Sequence, residues 1–143
     1  MEQLFLDLSK PSHVRAQERL RDNIMMWIST VRPDGRPHLV PVWFLWDGER
    51  VLIFSKPDQK IRNLKQNPQV VLALDDTKGG NQVVLIEGVA ELPERGMVTP
   101  ALPAYAEKYA TQLAASNWTG ESMGQEYSEA IVVKPTRLIA WLD

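Results

Sequence analysis

Two short runs of this chain carry the residue types and spacing from which chemistry can be built. The first is Phe54-Ser55-Lys56-Pro57-Asp58-Gln59-Lys60-Ile61-Arg62-Asn63. A strand feeding a short helix puts unsatisfied backbone N–H groups at the helix start, with Ser55, Lys56, Lys60, Arg62 and Asn63 around it. That combination suits an anion such as a phosphate. A solvated basic helix face accounts for the same residues, and Asp58 works against an anion. The second run is Pro41-Val42-Trp43-Phe44-Leu45-Trp46. Bulky residues in unbroken succession cannot alternate between core and solvent, so both faces of this segment must be covered. Core, a partner subunit or a flat ligand would each do so. Minor candidates are His38, which also reads as a half-buried strand residue, and Asn81 and Gln82, which read equally as turn residues.

Much other chemistry is excluded. The chain has no cysteine, which removes disulfides, thiolate catalysis and iron–sulfur clusters. Its two histidines, His13 and His38, are too far apart for a histidine metal motif, so no metal ligands and no catalytic side chains are assigned. Nucleophile-elbow, Walker and dinucleotide patterns are missing. With 16 basic and 18 acidic residues the formal net charge is -2, which predicts no general affinity for nucleic acid or anionic lipid. The start MEQLFLDLSK is not a secretory signal, and the apolar stretch Pro37 to Trp46 is too short to cross a bilayer. The expectation is a soluble, cytoplasmic protein.

The elements that must position these runs read as mainly β. Residues 12–22 form a short amphipathic helix with Ser12 as N-cap and a stripe of Val14, Ala16 and Leu20. Ile24 to Arg32, Pro37 to Trp46 and Val51 to Ser55 read as three strands joined at Asp34-Gly35 and Asp47-Gly48, an antiparallel meander. Pro41 places the second of them at an edge or a bulge. A helix with Pro57 in its first turn runs through Lys60 to Gln66, buries Ile61 and Leu64, and ends at Asn67-Pro68. Gln69 to Asp75 and Gln82 to Leu92 are further strands, the latter with a bulge or sharp bend at Gly88. Residues 93–128 make a helical excursion on the outside of the barrel, with Tyr105, Tyr109 and Leu113 at helical spacing. Ala130 to Val133, a turn at Lys134-Pro135, and Arg137 to Leu142 complete the chain. The sum is a single domain over residues 1–143, an antiparallel barrel of six or seven strands with peripheral helices.

Taken together, TVRPDGRPHLVPVWFLWDG, SKPDQKIRNLKQNPQVVLALD and GGNQVVLIEGVAEL resemble the flavin-binding split β-barrel superfamily of pyridoxamine 5′-phosphate oxidase, in particular its short deazaflavin-dependent branch. The resemblance implies a homodimer with cofactor sites at the subunit interface. It implies that the backbone of Val42, Trp43 and Phe44 faces the flavin ring, that Phe54 and Ser55 lie near the ribityl chain and phosphate, and that Lys60 holds the phosphate. Asn63 lies one helical turn on, and Gln82 matches a flavin-contacting glutamine. The cofactor implied is flavin mononucleotide (FMN) or coenzyme F420, and the activity is hydride transfer to or from a small planar substrate. Storage or sensing of flavin or haem without turnover is the alternative. Relatives often carry an arginine just before the lysine, where this chain has Asp58 and Gln59. No counterpart of the oxidase's C-terminal substrate-binding segment is visible, so vitamin B6 oxidation is not expected.

Overall fold

The computed structural model describes residues 6–75, 79, 82–93 and 98–142; Asn81 lies outside them. A first helix, α1 (Pro11–Asp22), precedes strands β1 (Met26–Val31), β2 (Pro37–Val42), β3 (Leu45–Trp46) and β4 (Val51–Ser55). Helix α2 (Gln59–Gln66) and strands β5 (Gln69–Asp75) and β6 (Gln82–Glu91) follow. Three helices, α3 (Val98–Lys108), α4 (Ala110–Ala115) and α5 (Gly120–Glu126), lead into the closing strand β7 (Glu129–Leu142).

The strands form one seven-stranded sheet in the order β2-β1-β5-β6-β7-β4-β3, with every neighbour pair antiparallel. Its edge strands β2 and β3 are separated in sequence only by Trp43 and Phe44, so the sheet must curl until its two edges nearly meet. This is a split β-barrel. The expected meander is therefore corrected. Each Asp-Gly pair does close a hairpin, with Gly35 at φ 89 and Gly48 at φ 99, a left-handed backbone that favours glycine. But Pro37 to Trp46 is not one strand. It breaks at Trp43-Phe44, and its two halves sit at opposite edges of the sheet. Pro41 lies in an edge strand, as its missing N–H requires.

The inner face is filled by Met26 and Ile28 of β1, Val42 of β2, Val51 and Ile53 of β4, Leu72 and Leu74 of β5, and Val84 and Ile86 of β6, all at most 8% exposed. Ala16 and Leu20 of α1 and Ile61 and Leu64 of α2 pack into the same core, whereas Val14 is 37% exposed. Each such large side chain withdrawn from water contributes about 1.5–3 kcal/mol. Ser12 is not the cap of α1. Pro11 occupies the first turn, Lys10 precedes it without a side-chain cap, and Asp7 closes the preceding turn by accepting from Ser9. Pro57 likewise lies before its helix, whose N-cap is Asp58.

Strand β7 is continuous where a turn at Lys134-Pro135 was expected. Glu87 pairs with Arg137 but Gly88 with Pro135, which leaves Thr136 as an extra residue in β7. The bulge shifts the strand's phase, so Ile131 and Val133 face the core before it, and Leu138 and Ala140 pack against the core after it. Gly88 is required here because a Cβ on it would stand 2.8 Å from Val133 Cγ1 and 2.9 Å from the Lys134 carbonyl oxygen. The helical run expected through Tyr105, Tyr109 and Leu113 is divided at Tyr109 between α3 and α4.

Candidate functional site

The break at Trp43-Phe44 is held by the end of α3, from far along the chain. Phe44 N–H donates to Tyr109 Oη at 2.9 Å, the Phe44 carbonyl accepts from Lys108 Nζ at 2.8 Å, and Tyr109 Oη donates to the Ile24 carbonyl. For Phe44 these bonds replace the sheet ladder that it leaves. Lys108 Nζ also lies 3.7 Å from the centroid of the Phe44 ring. Burial pushes the Lys108 amine down to about 8, against the opposing pull of Asp22. Burial raises the phenols of Tyr105 and Tyr109 above their ordinary values, so both are neutral hydrogen-bonding groups at physiological pH.

Above this staple the outer face of β4 meets the three helices. Trp43 stacks on Tyr109 with ring centroids 4.3 Å apart and planes 2° from parallel, and Phe54 stacks on Tyr105 at 4.3 Å and 9°. Leu113, Met123 and Ala130 complete this second core, which confirms the helical excursion on the outside of the barrel. Helix α5 begins at a reciprocal cap between Thr119 and Ser122. It is tied to the end of β4 by Lys56, which pairs with Glu126 at 3.4 Å and lies 5.2 Å over the Tyr127 ring.

Between the Trp43 connection and the helices lies a cleft of about 650 Å³, within the ~300–1,000 Å³ of small-molecule sites. Met25, Pro41, Val42 and Trp43 line one side, and Tyr105, Leu113, Ser116, Trp118, Met123 and Tyr127 the helical side. Phe54, Ser55 and Lys60 lie at the junction of β4 and α2. The walls are largely aromatic and apolar, with Ser55 and Lys60 polar at the β4–α2 junction and Ser116 on the helical side.

Five of the residues singled out from sequence therefore share one cleft: Val42, Trp43, Phe54, Ser55 and Lys60. Three do not line it. Phe44 is fully buried in the inner core, with its backbone N–H and C=O engaged by Tyr109 and Lys108. Asn63, also fully buried, donates to Thr30 Oγ1 at 3.0 Å and accepts from Gln59 Nε2 at 2.7 Å, which fixes α2 to β1. Gln82 starts β6, where its carbonyl accepts from the Arg19 guanidinium. The helical wall was not legible as a site. Tyr105 and Leu113 carried a packing signal only, and Trp118 and Tyr127 carried none.

At the polar end, Asp58 accepts from Lys60 N–H at 3.2 Å and from Lys60 Nζ at 2.6 Å. His38 is half-buried, and its Nδ1 has no hydrogen-bond partner among the described residues. Burial holds its pKa down, Arg32 and Lys60 lower it further, and Asp58 opposes them. His13 accepts from Asp7 N–H at 2.8 Å, a structural role near the start of α1. Among the described residues no group of three or more His, Asp or Glu is placed to hold a metal ion, and no helix is long and apolar enough to cross a membrane.

A curled seven-stranded antiparallel sheet with an aromatic cleft beside its split defines a split-barrel protein. The chain belongs to the pyridoxamine 5′-phosphate oxidase family, whose profile matches residues 13–142. It is 35% identical over 63 residues to an uncharacterized protein of Rhizobium meliloti (strain 1021), a match covering 42% of this chain and 42% of that protein. Among solved structures it is similar to an F420 reductase at 25% identity and a TM-score of 0.68, covering 86% of this chain and 94% of the other. It shares its fold with HutZ, the heme storage protein of Vibrio cholerae, at 19% identity and a TM-score of 0.62, over 92% and 95% of the two chains.

Proposed function

We propose that this chain is a single-domain oxidoreductase that binds a flavin-type cofactor, FMN or coenzyme F420, in the aromatic cleft and transfers hydride to or from a small planar substrate. The observation that carries this reading is the cleft itself, aromatic and apolar along Trp43, Trp118 and Tyr127 and polar at Ser55 and Lys60. A planar tricycle with a polar, phosphate-bearing tail has the same division. The cofactor supplies the hydride chemistry when bound. The chain's part is to bind and orient: Trp43 and Trp118 offer faces to the ring, Leu113 and Met123 exclude water, and Ser55 and Lys60 meet the tail. Similarity to the F420 reductase supports a cofactor of this class.

The protein acts as a homodimer. The outer face of the sheet carries an apolar row, Pro41–Trp27–Ala73–Leu85–Ile139, in which each residue is the direct cross-strand partner of the next. Leu39 and Val71 beside it are 59% and 41% exposed. A second copy covering this row would explain so much apolar surface on one face. Among the described residues no histidine lines the cleft, which weighs against haem as the ligand. Fluorescence titration of the apo-protein with FMN and with coenzyme F420 tests the reading. Saturable binding of one, followed by substrate-dependent reoxidation or bleaching, is expected. Binding without turnover by any substrate would make this a storage or sensing protein, and absence of binding by both would remove the cofactor claim.

A further inference from the structure

The donors that this reading assigns to an anionic tail already converge on a carboxylate of the chain's own. Asp58 Oδ2 accepts from Lys60 Nζ and Oδ1 from Lys60 N–H. Ser55 Oγ, which donates to the Lys56 carbonyl at 2.7 Å, stands 3.4 Å from the same Oδ1. Asp58 thus caps α2 and neutralises its one cleft-lining lysine. The two partners differ in exposure. The Lys60 side chain is 10% exposed and fixed in the wall, whereas that of Asp58 is 42% exposed at the rim. The carboxylate is the member free to turn outward without disturbing packed side chains. A phosphate approaching Ser55 and Lys60 must therefore either displace Asp58 or sit beside a like charge.

We infer that Asp58 is a built-in competitor for the anionic end of the ligand, holding the helix start and Lys60 in an internally paired state. It keeps affinity for phosphate-bearing ligands below what those groups alone would give. The identity of the natural ligand rests on the cofactor reading; the competition does not, because inorganic phosphate probes it directly.

The test is Asp58→Asn, which removes the charge and keeps an oxygen to accept from Lys60 N–H as a helix cap. Dissociation constants for inorganic phosphate, FMN and riboflavin are measured for both proteins at constant ionic strength. Phosphate and FMN are expected to bind about tenfold tighter to the variant, the scale of one charge-assisted contact regained. Riboflavin affinity should stay unchanged, and adding Lys60→Ala should abolish the gain. Equal phosphate affinity in the two proteins overturns the inference. If the variant gains phosphate affinity while neither protein binds FMN or, titrated in the same way, coenzyme F420, the cofactor reading fails and the competition stands. Asp58→Ser, which also caps a helix, serves if the asparagine variant does not fold.

Discussion

The outer face of the sheet is treated in two opposite ways. Over β4 and the start of β7 it is sealed by the three helices between β6 and β7, leaving Phe54 5% and Ala130 6% exposed. Over β1, β2 and β5 it is bare, with Leu39 and Val71 largely in solvent. Strand β4 is buried or half-buried throughout, whereas β1 alternates buried with half-buried residues and β2 half-buried with exposed ones. Yet both halves turn apolar side chains outward, so the strands alone do not decide which is covered. What decides it is the excursion before β7, which brings Tyr105, Tyr109 and Leu113 back onto β4. The cleft is therefore a by-product of incomplete covering: the helices seal β4 but leave a gap beside Trp43. The bare half is the surface the proposed second copy takes.

The comparison can be broken most sharply by paired truncations. Phe54→Ala should cost about 3–5 kcal/mol in urea unfolding, because it opens a cavity in the aromatic stack. Leu39→Ser on the bare half should change monomer stability by less than about 0.5 kcal/mol while weakening self-association in sedimentation experiments. Equal costs at both sites would mean the halves are not differently covered. Tyr109→Phe removes the hydroxyl from Phe44 N–H and the Ile24 carbonyl and should cost about 1–3 kcal/mol, as buried groups lose their partners. A cost near zero would show that the Trp43-Phe44 connection does not depend on the staple. Gly88→Ala should cost about 1–3 kcal/mol through its contacts with Val133 and Lys134, read as a lower urea midpoint at unchanged slope.

A further effect is electrostatic. Lys108 is lowered in the folded state to about 8 from its ordinary 10.5, so between these values the unfolded chain holds the proton more tightly. Its contribution to stability therefore rises with pH across that window and is flat below it. Subtracting the urea-derived pH profile of Lys108→Met from that of the native protein should isolate this rise. A difference profile that falls there would contradict the burial of the amine.

What the sequence disclosed was local. The Asp-Gly turns, α2 with Ile61 and Leu64 inward, and the bounds of β5 depend on residues adjacent in the chain. The bend expected at Gly88 was also visible, though not the matching bulge at Thr136, which hides β7's continuity by shifting its phase. The break at Trp43-Phe44 was invisible because its hydrogen-bond partners, Lys108 and Tyr109, lie some 65 residues away. The cleft was legible on the side of β2, β4 and α2, where Val42, Trp43, Phe54, Ser55 and Lys60 gather. Its helical wall was not, since Trp118 and Tyr127 follow no periodicity. Asn63, singled out beside Lys60, lies outside the cleft lining and donates to Thr30.

A flavin-type cofactor is proposed for the cleft between the Trp43 connection and the helices. The five tryptophans give a direct reading through their indole N–H resonances in a heteronuclear NMR titration with FMN and with coenzyme F420. Trp43 and Trp118 should shift on saturation by one of the two, while Trp46, buried in the inner core, stays in place. Saturable binding that leaves Trp43 and Trp118 unmoved would place the ligand elsewhere and contradict the account.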